Sequence, residues 1–250
     1  MASGLGQADL AFRVTRWDPK ADWDYRLLLT LKQGQLTLPL PNGPDRTLSR
    51  IQGQVYLDPR QLQIKNLRGY EAGTSAIVNG LVARTNTTQG SRLDVALKDV
   101  ALDQRLRKQL PAAWQTLLDV YAPSGTVHFT TSLELSPTGS WTPTNSVLTA
   151  NSCKVKHARF PYPLEQLTGT LSQQGATRDW TVQIDAIAAG RPVQFRGQIQ
   201  NAGPEAASQL DISVDRLPID DQLLQAVSPA ARRSLEALAL RGAVDLRARI

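Results

Sequence analysis

A single cysteine, Cys153, in a chain of 250 residues excludes an internal disulfide framework and any cysteine-based metal site. Such low cysteine usage fits an oxidising compartment, where stray thiols mispair, without requiring one. Histidine is nearly as scarce: His128 and His157 stand in alternating sequence with no partner at a metal-ligand spacing. No apolar stretch approaches the roughly 20 residues that cross a bilayer as a helix. The opening MASGLGQADLAF has no basic segment followed by an apolar one, so it does not read as a secretory signal. Lysine and arginine outnumber the acidic residues, 28 to 22, but no run of five or six like charges occurs. The charge therefore reads as solvated surface, and a nucleic-acid partner is not expected. Gly-rich phosphate loops, nucleophile elbows and HExxH patterns are also absent. The chain is read as non-enzymatic, with no catalytic residues, no cofactor and no metal.

What the sequence has is a repeat. Hydrophobic residues make up 41% of it, enough for a real core. The segment LDVALKDVALDQRLRKQL from Leu93 aligns without a gap with LDISVDRLPIDDQLLQAV from Leu210, an offset of 117 (93 to 210). The match continues through Leu118 with Leu235, Gly125 with Gly242 and Val127 with Val244. Gly6 to Leu10 joins the same series. Ile51 to Gly53 answers Leu167 to Gly169, while Gly73 and Gly80 answer Gly190 and Gly197. The repeat predicts one unit over 6–124, a second over 125–241, and the first strand of a truncated third over 242–250. The chain thus reads as a piece of a longer array.

Within a unit, apolar and polar residues alternate with period two, the signature of strands with one dry face. On that face lie Leu10, Phe12 and Val14, then Leu93, Val95 and Leu97. Val127, Phe129 and Leu133 follow, and after them Val182, Ile184, Val193 and Phe195. Leu210, Ile212 and Val214 precede the last pair, Val244 and Leu246. Each unit ends in two short helices. Asp220 is placed to cap the first, with Leu223, and Ser228-Pro229 to start the second, with Leu235. In the earlier copy Asp103 takes the capping role. The pairs are expected to bury Leu106, Leu118, Leu223 and Leu235 over one end of the sheet. A sheet this large must cover its apolar face, either by packing on a second sheet or by curling into a trough with the lining left available. Asp18, Asp22 and Asp24 beside Trp17 and Trp23 read as a solvated loop, and Asn86 opens a sequon too short to carry weight.

The strand, LPID, helix, glycine, strand run from Leu217 to Leu246, its copy from Val100 to Phe129, and the segment from Phe160 to Leu171 resemble the C-terminal repeats of bacterial AsmA-like proteins. These are relatives of TamB and of the repeating-β-groove lipid-transfer proteins. The first unit departs from the pattern, with Leu38-Pro39-Leu40-Pro41 where the second has Phe160-Pro161-Tyr162-Pro163. The resemblance implies a mainly β fold with short helices, in which tandem repeats form one extended, curved antiparallel sheet. It also implies a periplasmic envelope protein, anchored in the inner membrane outside these residues. The named apolar residues would floor a groove for phospholipid acyl chains. The rival is a structural or assembly module whose sheet edges recruit another protein's strand.

Overall fold

A computed structural model describes residues 3–15, 24–38, 46–84, 90–110, 112–136, 139–158, 160–202, 207–238 and 241–249. The Trp17 to Trp23 loop and the Asn86 sequon lie outside these residues. Six strands and two helices follow one another twice. The first series is β1 (Ser3–Thr15), β2 (Asp24–Leu38), β3 (Arg46–Leu57), β4 (Gln61–Glu71), β5 (Thr74–Ala83), β6 (Arg92–Ala101), α1 (Gln104–Gln109) and α2 (Ala112–Tyr121). The second is β7 (Ser124–Leu135), β8 (Trp141–His157), β9 (Phe160–Gln174), β10 (Trp180–Ala188), β11 (Arg191–Gln200), β12 (Ala207–Pro218), α3 (Asp221–Ala226) and α4 (Pro229–Ala237). β13 (Ala243–Arg249) comes last.

The 13 strands form one sheet in chain order, unclosed, with β1 and β13 at its edges. The pairings from β1 to β6 and from β9 to β13 are antiparallel. The fold is mainly β with a few short helices. By packing, the chain divides into residues 1–100 with 129–146 and residues 101–128 with 147–250, a division that runs through β7 and β8.

Backbone irregularities recur at the spacing of the repeat. Ala72-Gly73 and Ala189-Gly190 are two-residue hairpin turns with positive φ at both positions, the type I′ arrangement that suits strand twist. Asp99 and Arg216, 117 apart, both sit near φ +55° (58° and 54°). At Arg216 the register of β12 against β13 shifts between Val214 and Leu217, a β-bulge. The freed N–H of Arg216 donates to Asp245 Oδ1 at 2.7 Å. Asn66 makes the same device in β4, its N–H donating to Asn79 Oδ1 at 2.7 Å. Each bulge sets two residues three apart, Val214 with Leu217 and Ile64 with Leu67, on one face of the sheet.

Gly169 shows why a side chain is excluded at some strand positions. It has φ +127°, and a Cβ there would meet the Gln183 carbonyl oxygen and lie 2.9 Å from Ile184 Cα in β10. Gly169→Ala is expected to lower stability by about 2 kcal/mol, from strained backbone and a displaced strand. A urea midpoint unchanged from wild type would show that the close approach is absent.

In the unit of residues 101–128 and 147–250, one core joins sheet to helix. Tyr162, Ala188, Val193, Val214 and Leu217 pack with Leu223 and Ala226 of α3. These sheet residues all lie at the same end of their strands, so α3 closes that end of the apolar face. Asp220 caps α3 by accepting from the Leu223 N–H at 2.8 Å. Asp103 caps α1 by accepting from the N–H groups of Arg105 and Leu106 at 2.9 and 3.0 Å. The helices do not bury all four expected leucines: Leu223 is buried, whereas Leu106, Leu118 and Leu235 are half-buried. α1 carries Arg107 and Gln109 where α3 has Leu224 and Ala226, and α4 surrounds Leu235 with Arg232, Arg233 and Glu236. Both are too polar to be drawn under the surface.

The Tyr162 hydroxyl is buried with no partner among the described residues. Burial, then the Asp220 charge, pushes its pKa above the ordinary value near 10. A raised pKa means stability that is complete below pH about 10 and is lost as pH climbs above it. Tyr162→Phe is therefore expected to hold neutral stability or gain up to about 1 kcal/mol, since no hydrogen bond is broken. It should also flatten the alkaline loss in melts between pH 8 and 11; a variant that melts well below wild type at pH 7 contradicts this.

In the unit of residues 1–100 and 129–146, Ile51 is buried and fills the space over Gly34 and Gly69. The Ser91 hydroxyl, also buried, accepts from the Ala83 N–H at 2.8 Å.

Candidate functional site: an apolar sheet face

Residues directly opposite in an antiparallel pair share a face, so the registers trace apolar rows across each unit. In the 1–100 and 129–146 unit one row is Phe12, Leu27, Leu57, Leu62 and Val82. Beside it runs Leu10, Leu29, Val55, Ile64, Gly80 and Leu93. Val14 faces Tyr25, while Val95 faces Val78 and Leu97 faces Ala76. On β7, the Ser132 hydroxyl donates to Asp94 on the polar face at 2.6 Å, so Phe129 and Leu133 fall on the apolar one.

In the other unit the rows are Leu171, Val182, Gly197 and Leu210; Gly169, Ile184, Phe195, Ile212 and Ala248; and Ala186, Val193, Val214 and Leu246. Leu217 opposite Val244 extends the last of these past the bulge. Val127 is buried in this unit. Val182, Val193 and Val214 are buried, and Ile184, Phe195, Leu210 and Ile212 half-buried. At the edge strands the side chains are open: Leu10 is 63% and Phe12 61% exposed, and Val14, Val244 and Leu246 are exposed as well.

Leu27, Leu29, Leu31, Val55, Ile64 and Val78 belong to this face although alternation alone does not pick them out. The sequence signal for the first three was available in principle, since Leu29 and Leu31 are two apart, but Leu28 breaks the pattern.

The opposite face is charged and self-paired. Arg196 meets Asp185, Arg247 meets Asp215 and Arg249 meets Asp211, each at 2.6 Å and each exposed. The Arg249 hydrogen bond holds the Asp211 carboxyl below the usual carboxylate range. The Ser132 hydroxyl, with Arg92 beside it, does the same for Asp94 against some desolvation. Exposed pairs of this kind contribute little to stability; they keep this face in water and leave the other as the one that needs a cover.

Among the described residues every strand belongs to the one sheet, so no second sheet lies over the apolar face. What defines this protein is a single-layer antiparallel sheet, one face polar and one apolar, closed by α3 at one end of its second unit. No family model, curated protein or solved structure matches the chain.

Proposed function

We propose that the chain is a non-enzymatic lipid-transfer module of the bacterial cell envelope, guiding phospholipid between membranes with acyl chains on the apolar face and headgroups in water. The observation that carries this reading is the set of apolar rows on a single-layer sheet, many of their residues half-buried or exposed, with no second sheet above them among the described residues. Exposed apolar surface of this extent marks a place where something apolar binds. Each methylene shielded from water contributes about 0.8 kcal/mol. Neighbouring strands are about 4.8 Å apart, so an acyl chain crossing them meets chemically similar positions at each step. Binding energy that barely changes along the path leaves a low barrier to sliding.

A phospholipid carrying a photoreactive acyl chain tests this. Crosslinks are expected on β2 to β4 and β10 to β12, on residues of the apolar rows. Crosslinks confined to the polar face, or none, would overturn the reading and leave an assembly role for the sheet edges in its place.

A further inference from the structure

Trp114, Leu118 and Tyr121 follow one another at i, i+4 and i+7, so they form one stripe along α2. Leu118 is half-buried, while Trp114 and Tyr121 are exposed. Six strands precede α1 and six more follow α2 before the next helix, so this exposure does not arise at a chain end. The stripe is fixed to the sheet. The Ala158 N–H donates to the Val120 carbonyl oxygen at 2.7 Å, fastening the end of α2 to the end of β8. The Tyr121 ring meets the His157 ring edge-on, with centroids 5.0 Å apart. The Phe160 N–H donates to His157 Nδ1 at 3.2 Å, which brings a third exposed aromatic to the same place. Arg107 meets Asp119 at 2.7 Å and ties α1 to α2, and Arg105 and Lys108 beside it are exposed.

We propose that the α1–α2 pair is a contact for an anionic membrane surface. Trp114 and Tyr121 enter the headgroup layer, and Arg105 and Lys108 pair with lipid phosphates. The inference does not depend on the lipid-transfer reading. Tryptophan and tyrosine settle at headgroup level because each joins an apolar ring to one polar hydrogen-bonding group. Cations beside such a stripe add attraction to anionic lipid, which selects a charged bilayer over a neutral apolar groove. The repeat supplies an internal comparison. With their capping residues, 103–121 carry three basic side chains against two acidic, whereas 220–238 carry two against three. Gln222 and Gln225 stand where the first pair has Arg105 and Lys108, and Ala231 stands where it has Trp114. The same helical scaffold therefore carries cations and an indole in one copy only, and there α1 gives up the apolar residues with which α3 docks on the sheet.

Vesicle flotation of the 250-residue chain tests this. Binding is expected to phosphatidylcholine vesicles containing about one-third phosphatidylglycerol, and to be at least about tenfold weaker to phosphatidylcholine alone. Arg105→Gln with Lys108→Gln should lower partitioning into the anionic vesicles about thirtyfold, and added salt should act in the same direction. Trp114→Ser with Tyr121→Ser should lower it about tenfold. A polarity-sensitive fluorophore locates the contact independently of these variants. Attached at Trp114→Cys it should shift to the blue on anionic vesicles; attached at Gln198→Cys, exposed on the polar face of β11, it should not. The native Cys153 is buried and does not compete for the label. No binding to either vesicle overturns the proposal and leaves the stripe to a protein partner. Partitioning unchanged by the paired glutamines, or equal shifts from the two labels, overturns it as well.

Discussion

Truncating Leu223 to alanine is expected to lower the unfolding free energy by about 3 kcal/mol, whereas Leu235→Ala lowers it by about 1 kcal/mol or less. The two leucines lie in the two helices that end the second repeat, but their surroundings differ. Leu223 is buried in a cluster with Tyr162, Ala188, Val193, Val214 and Leu217, drawn from four strands, β9 to β12, and α3. Deleting its methyl groups leaves a cavity walled by strands that hydrogen bonds on both sides prevent from collapsing. That rigidity adds a cavity term to the transfer term. Leu235 is half-buried, and the space it vacates fills with water. Urea unfolding of both variants measures the difference directly. Equal and small effects would mean that α3 is not docked and that the end of the apolar face it covers is open.

How far such packing could be anticipated depends on which physical signal each residue carries. Leu210, Ile212 and Val214 were legible because strict alternation needs no knowledge of the partner strand. The caps were legible for a similar reason: Asp103 and Asp220 act within three residues of themselves. Leu67 and Leu217 were not, because Asn66 and Arg216 take up left-handed conformations that shift the period by one residue. Asparagine tolerates that conformation and arginine does so less often, so nothing local announces the second bulge. Leu27, Leu29 and Leu31 were hidden by Leu28, which obscures which residues alternate. Tyr162 stood out only as part of a Pro-rich segment, since the core it joins is assembled from residues up to 64 positions away, at Ala226. The choice between sandwich and single sheet lay beyond periodicity altogether. Both place apolar residues at the same alternate positions and differ only in which strands become neighbours.

Because the face is single-layered, aspartate placed at two positions on it is expected to behave in opposite ways. Ile184 lies mid-row between Gly169 and Phe195 and is half-buried. Val193, one row over, is 4% exposed beneath α3. At Ile184 a carboxylate can reach water through the uncovered face, so Ile184→Asp should lower stability by only about 1–2 kcal/mol, chiefly the lost apolar contact. At Val193 the same carboxylate is enclosed with no cation in the cluster, and the cost should reach about 4 kcal/mol or more, enough to unfold the unit. Phe195 borders the same cluster, so Phe195→Asp should fall between these limits. Lipid capture separates the variants further. An acyl chain crossing position 184 would have to strip water from a charge and forgo contact with about two methylenes, so photocrosslinking by Ile184→Asp should drop at least about tenfold. Thermal melts and crosslinking on the same samples read both effects. Ile184→Asp collapsing as Val193→Asp does would mean that something else covers the face. A folded Ile184→Asp that still captures lipid at the wild-type level would show that the chains travel elsewhere.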